Sequence, residues 1–181
     1  MVRFPETLNL YDGELELRRL TAADRDGLMR AFQDPEIPRW TGIPNPFTGE
    51  AADTLLAEAE SRWRDGKTAE LAIALDDELV GGIHLTFYGD WRASVAYWLV
   101  AEARGRGLAT RAVRLLTRWG FEEFGDLVRI ELWSIVGNDP SDRVARRAGF
   151  SEEGIFRSRF PHRGEFRDVR CFSLLRADAR R

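Results

Sequence analysis

The residues best placed to do chemistry stand in one short run, Arg104-Gly105-Arg106-Gly107-Leu108-Ala109-Thr110, directly after the apolar stretch Tyr97-Trp98-Leu99-Val100. A loop that enters a helix in this way points several free main-chain N–H groups at one spot, at the positive end of a helix dipole. That spot is an anion site suited to a pyrophosphate. Gly105 and Gly107 let the backbone approach a phosphate with no Cβ in the way, and Arg104 and Arg106 can add charge-assisted hydrogen bonds. The loop is not a P-loop, because no Gly-Lys-Ser/Thr follows it. It is not a dinucleotide fingerprint either, since the position three beyond Gly107 is Thr110 and not Gly or Ala.

A second polar run, Asn138-Asp139-Pro140-Ser141, lies about thirty residues downstream and is followed by Gly149-Phe150. Residues of these types make a good turn and helix N-cap, so capping by itself accounts for Ser141 or Asp139. His84, His162 and Asp168 are the other groups able to move a proton near neutral pH or just below it.

Which elements must position these residues? Alternation over 14–20 predicts a first strand, and a capping-box type of start at 21–24 opens a helix that stops near 34–35. Residues 35–49 hold prolines at 35, 38, 44 and 46, with Trp40 and Phe47 among them, and are expected to form a long ordered loop. A helix over 50–64 follows, with Leu55, Leu56, Ala59 and Trp63 on one face. Strands are predicted at 68–75, 79–87 and 93–100, then a helix at 107–124 with Leu108, Ala112, Leu115, Leu116 and Trp119 on its buried stripe. A strand at 128–135, a short helix at 141–148 and strands at about 151–160 and 166–175 complete the order β-α-α-β-β-β-α-β-α-β-β. No repeat and no linker divides the chain, so residues 1–181 are expected to form one α/β (α+β) domain, a mixed sheet with helices on both faces.

Composition agrees with this. Hydrophobic residues make up 44 % and charged residues 31 %, as expected of a chain with a packed core and a solvated surface. A formal net charge of −3 argues against a general nucleic-acid or anionic-membrane binder. Cys171 alone excludes an internal disulfide, and no cysteine or histidine cluster suggests a metal. With no apolar run of transmembrane length and no signal-peptide core after Met1, the expected location is cytoplasmic.

The two runs in this order resemble the signatures of the GNAT N-acyltransferase superfamily, especially its ribosomal-protein N-terminal acetyltransferase (RimJ/RimL-type) branch. Arg104 to Ala109 matches Arg-x-x-Gly-x-Ala, and 136–154 matches a strand, Asn-x-x-Ser opening a helix, and a Gly-Phe entry to the next strand. The resemblance runs from Leu15 to Leu175 and is strongest over 96–154. It implies a mostly antiparallel central sheet of about seven strands, splayed in the middle, and acetyl-CoA as the acyl donor. By resemblance the pantetheine arm lies along Leu99 and Val100, with a main-chain N–H of one of them facing the thioester carbonyl. The pyrophosphate rests on Arg104, Gly105, Arg106, Gly107, Leu108, Ala109 and Thr110. Asn138 hydrogen-bonds the pantetheine or orders its turn, Ser141 is a candidate acid for the leaving thiolate, and Arg146 can reach the nucleotide end. Trp40, Phe47, His84, Trp91 and Tyr97 are expected to border the acceptor.

The resemblance departs at one place: Phe160 stands where some relatives carry a glutamate on the late strand, so the general base is left open among His84, His162 and ordered water. Asp168 is expected to be structural, paired with an arginine. The reading is an N-acetyltransferase acting on a primary amine, of a protein N-terminus or a small molecule, in a ternary complex. The alternatives are an acyl-CoA-binding sensor domain with little catalysis, or a nucleotide-phosphate enzyme using the 104–110 loop. The protein is expected as a monomer or homodimer.

Overall fold

The computed structural model describes residues 2–179. Apolar alternation makes the strands β1 (Asn9–Asp12), β2 (Leu15–Arg19), β3 (Thr68–Leu75), β4 (Glu78–Phe87), β5 (Arg92–Leu99), β6 (Arg129–Ile135), β7 (Ser151–His162) and β8 (Glu165–Leu175). The helices are α1 (Arg25–Ala31), α2 (Glu36–Trp40), α3 (Gly49–Arg64), α4 (Leu108–Glu123) and α5 (Asp139–Arg147). Among the described residues there is one sheet, ordered β1-β2-β3-β4-β5-β6-β8-β7. Every neighbouring pair is antiparallel except β5–β6, which is parallel.

Two expectations change. The sheet has eight strands and not seven, because residues 9–12 pair with 15–18 as a short edge hairpin. The proline-rich segment is not wholly irregular: α2 forms inside it, with Pro35 as its N-cap. Pro38 is the third residue of that helix, a position whose N–H has no intrahelical acceptor, so the missing donor costs nothing.

Period-2 alternation assigns the two faces. Val95 and Leu99 of β5 join the main core with Leu108, Ala112 and Leu116 of α4. Trp98, pointing the other way, packs at 4.7 Å against Phe32 at the end of α1, in a second cluster that includes Phe47 and Ala52 of α3. All five residues predicted for the buried stripe of α4 are buried.

The decisive feature of the sheet is where it opens. Residues 92–95 of β5 pair with 129–132 of β6, and the pairing stops there. Beyond that point each strand follows its outer neighbour: 96–99 stay on β4, while 133–135 stay on β8. The right-handed twist carries the two halves apart, leaving a V-shaped gap between β5 and β6. Among the described residues no helix is long and apolar enough to cross a membrane.

Candidate active site

The gap opens into a cavity of about 1190 Å³, larger than the ~300–1,000 Å³ typical of drug-sized ligands. Its walls come from the end of β5, the 103–110 turn, the start of α5, and the segment 36–48. Val100 N–H donates to Val80 O at 2.9 Å, so it faces β4. By strand alternation the N–H groups of Tyr97 and Leu99 face the other way, into the gap. Of the two N–H groups expected near a thioester carbonyl, only that of Leu99 is therefore free to act there.

The turn after β5 leaves its donors open. Arg104 N–H closes a short turn onto Ala101 O, and Arg111 N–H begins the helical ladder on Gly107 O. Among the described residues, no acceptor takes the N–H groups of 105 to 110 between them. Gly105 and Gly107 have φ of +74° and +78°, and a Cβ built on either would meet nothing within 4 Å. The sequence thus forms a concave set of N–H donors at the N-terminus of a sixteen-residue helix, with open space above it. Such a set of donors is suited to an anion.

The arginines sort themselves differently from the sequence expectation. The Arg104 guanidinium turns back beneath the loop, donating to Leu99 O at 2.8 and 3.1 Å and pairing with Asp34. It ties the turn to the end of α1 instead of reaching over the loop. Arg106 is exposed and has no ion-pair partner among the described residues, so it remains available to an anion. Arg146 pairs with Glu152 at 2.7 Å and lies over the Phe172 ring, away from the cavity. Arg143 and Arg147, four residues apart and therefore on one face of α5, line the cavity in its place.

On the opposite wall, Asn138 caps α5: its side-chain oxygen accepts from Ser141 N–H at 3.3 Å. Ser141 Oγ is thereby free of capping duty, and it accepts a hydrogen bond from Tyr97 Oη at 3.2 Å across the gap. Burial pushes the Tyr97 phenol up to about 12, although the Ser141 hydrogen bond works in the opposite sense. It is a neutral hydroxyl at any physiological pH. Tyr97 thus lines the cavity as a neighbour of Ser141. Buried Asp142, facing Arg170 Nε at 3.0 Å, anchors this end of α5 to β8.

The acceptor side is roofed by the proline-rich segment. Trp40 and Phe47 both line the cavity, Phe47 standing edge-on to Phe32 at 4.5 Å. The β7–β8 hairpin holds this roof down: His162 Nε2 meets Arg39 O at 3.0 Å, and Arg163 donates to Pro38 O and Ile43 O. His162 is 9 % exposed, and its Nε2 is occupied by that contact. Trp91 does not belong to the site. It is 55 % exposed at the far end of β5, where its carbonyl accepts from Val128 and Arg129. Asp168 is structural as expected, but its partner is the main-chain N–H of Ser158 at 2.7 Å and not an arginine.

His84 lies on β4 and faces the cavity, and the structure adds a partner that the sequence reading passed over. Glu70 of β3 stands directly opposite it in the antiparallel register, with Oε1 at 3.5 Å from Nδ1. The signal was available: Glu70 is the one charged residue in the strand Thr68–Leu75, and the tight 76–77 turn sets the register that brings it to His84. Burial pulls the His84 imidazolium down, but the Glu70 carboxylate outweighs it and raises the group above the usual histidine value. Glu58 and Arg62 of α3, also on the wall, pair with each other.

This geometry agrees with what is found in similar proteins. Residues 14–151 match the family model for the acetyltransferase (GNAT) domain. The uncharacterized N-acetyltransferase p20 of Bacillus licheniformis is 30 % identical over 174 residues, covering 93 % of this chain and 97 % of that protein. Among solved structures, a probable acetyltransferase superposes with a TM-score of 0.85 at 27 % identity, covering 94 % of this chain and 98 % of that one. The ribosomal L7/L12 alpha-N-protein acetyltransferase RimL, solved with coenzyme A, has the same fold at a TM-score of 0.84 and 20 % identity, over 93 % and 98 % of the two chains. The open turn after the parting strand and the family match over most of the chain lead to one conclusion: this protein belongs to the GNAT family and is an N-acetyltransferase that uses acetyl-CoA.

Proposed function

We propose that this enzyme transfers the acetyl group of acetyl-CoA to a primary amine, of a protein N-terminus or a small molecule, by direct attack in a ternary complex. The observation that carries the reading is the row of open N–H groups over 105–110 beside the parted strands. That row, with Arg106, would hold the pyrophosphate, and Arg143 and Arg147 would meet the nucleotide end. The thioester supplies an activated acyl carbon. The Leu99 N–H then stands where negative charge develops on the carbonyl oxygen, and a fixed donor there acts without reorganisation. Ser141, hydrogen-bonded to a neutral Tyr97, is placed to protonate the leaving sulfur. The likeness to RimL, an alpha-N-protein acetyltransferase, favours a protein N-terminus as the first acceptor to test.

The test is thiol release from acetyl-CoA with a panel of peptides bearing free N-termini and of small aliphatic amines. Amine-dependent release is the expected result; coenzyme binding with no release from any member would overturn the reading. A covalent acetyl-enzyme is not part of this route. Cys171 is 1 % exposed, and burial, together with the Glu131 and Glu153 carboxylates, pushes its thiol up, the reverse of an activated nucleophile. Cys171→Ser is expected to keep kcat within about twofold, with no acetyl adduct on either protein by mass spectrometry. An adduct at Cys171 would point to a two-step transfer instead.

A further inference from the structure

We infer that His84, oriented by Glu70, is the group that accepts the proton from the attacking amine. The inference rests on the acetyl-transfer reading above. Its basis is position. His84 pairs in register with Ala96, the first residue of β5 to have lost its β6 partner, so the imidazole sits level with the point where the gap opens. The residue between it and the gap carries only a methyl group, and the ring is 36 % exposed, to the cavity. Nδ1 faces Glu70, while Nε2 has no partner among the described residues. A carboxylate behind one ring nitrogen fixes the tautomer and orientation of the other. The gap face of His84 is thus built as the receiving end of such a pair.

The remaining ionised groups around the ring are compensated. Arg62 of α3 is paired with Glu58, β5 presents uncharged Ser94 and Ala96, and β3 presents Glu70 itself. His162, the other histidine, holds Arg39 O through Nε2 and is not among the residues that line the cavity. In the step, the amine nitrogen forms a bond to the thioester carbonyl carbon and the C–S bond breaks with its electron pair on sulfur. His84 Nε2 takes the N–H proton that the nitrogen sheds. The sulfur takes the Ser141 hydroxyl proton, which solvent restores, and His84 releases its proton to solvent.

The experiment combines pH–rate profiles with histidine NMR. In the wild-type enzyme, kcat/KM for an amine identified by the panel rises with pH through one limb, and that limb coincides with the titration of His84. The chain holds two histidines, so His162→Gln assigns the signals. His84→Gln lowers kcat by roughly 10²- to 10⁴-fold and abolishes the limb, while coenzyme A binding measured by calorimetry stays within about twofold. Glu70→Gln moves both the limb and the His84 titration to lower pH, which a merely structural role for Glu70 does not predict. A His84→Gln enzyme that binds coenzyme A and keeps the wild-type rate overturns the inference. So does a wild-type limb that does not track the His84 titration, a result that requires no variant to fold. Failure of the acetyl-transfer reading is distinct: the wild type would then release no thiol with any amine.

Discussion

Gly107→Val is expected to raise KM for acetyl-CoA by about 10- to 100-fold, the scale of one lost charge-assisted hydrogen bond at ~1.5–3 kcal/mol. Two effects combine. Gly107 is the N-cap of α4 in the left-handed region, with φ +78° and ψ 0°. A non-glycine residue there costs about 1–2 kcal/mol, and a β-branched one is the worst case. The backbone would relax by rotating its N–H groups out of convergence. The new side chain would also project into the open space above the turn, where phosphate oxygens have to come close. Gly89 provides the control. It has φ +82° with nothing within 4 Å of an added Cβ, but lies in the turn between β4 and β5, away from the cavity lining. Gly89→Val should lower the melting temperature comparably and leave KM alone. Initial rates and calorimetric titration with coenzyme A read out both variants. Equal KM values for Gly107→Val and wild type would remove the turn as the diphosphate site.

Ser141→Ala should lower kcat by about 100-fold while KM for acetyl-CoA and the melting temperature hold steady. The separation is possible because Ser141 does not cap its helix. Asn138 does that, through its side-chain oxygen to Ser141 N–H, which alanine retains. Asn138→Ala is the complementary variant, expected to cost about 0.5–2 kcal/mol of stability through the lost cap. The phenol of Tyr97, pushed up to about 12, stays protonated through the working range, so no alkaline limb from it should appear below about pH 10. A Ser141→Ala enzyme that unfolds early and keeps its kcat would return Ser141 to a structural role.

Much of the candidate site was legible because its signals are local. Glycine at 105 and 107 reports a backbone conformation, and both residues do adopt positive φ. The apolar stripe of α4 and the Asn-x-x-Ser turn are read over three or four residues, the range at which helix periodicity and capping operate. The segment 35–49 misled for a related reason: a count of prolines ignores that the first turn of a helix needs no N–H donors, so α2 could form around Pro38. Residues 9–12 gave little signal, since a four-residue edge strand with one face in water needs no alternating apolar pattern.

The sequence by itself determined that a glycine turn opening a helix follows an apolar strand, and that a capped helix carrying Ser141 lies downstream of it. Tertiary structure alone decided which long side chains serve the site. Arg104 and Arg106 stand two residues apart, yet one is held by Leu99 O and Asp34 and the other has no ion-pair partner among the described residues. Arg146 is drawn off to Glu152 while Arg143 and Arg147 reach the cavity. Glu70 meets His84 only because a hairpin register brings them together. A guanidinium or imidazole at the end of a flexible stem goes to whichever acceptor the packing of distant segments brings within about 3 Å, and that competition has no local code in the chain.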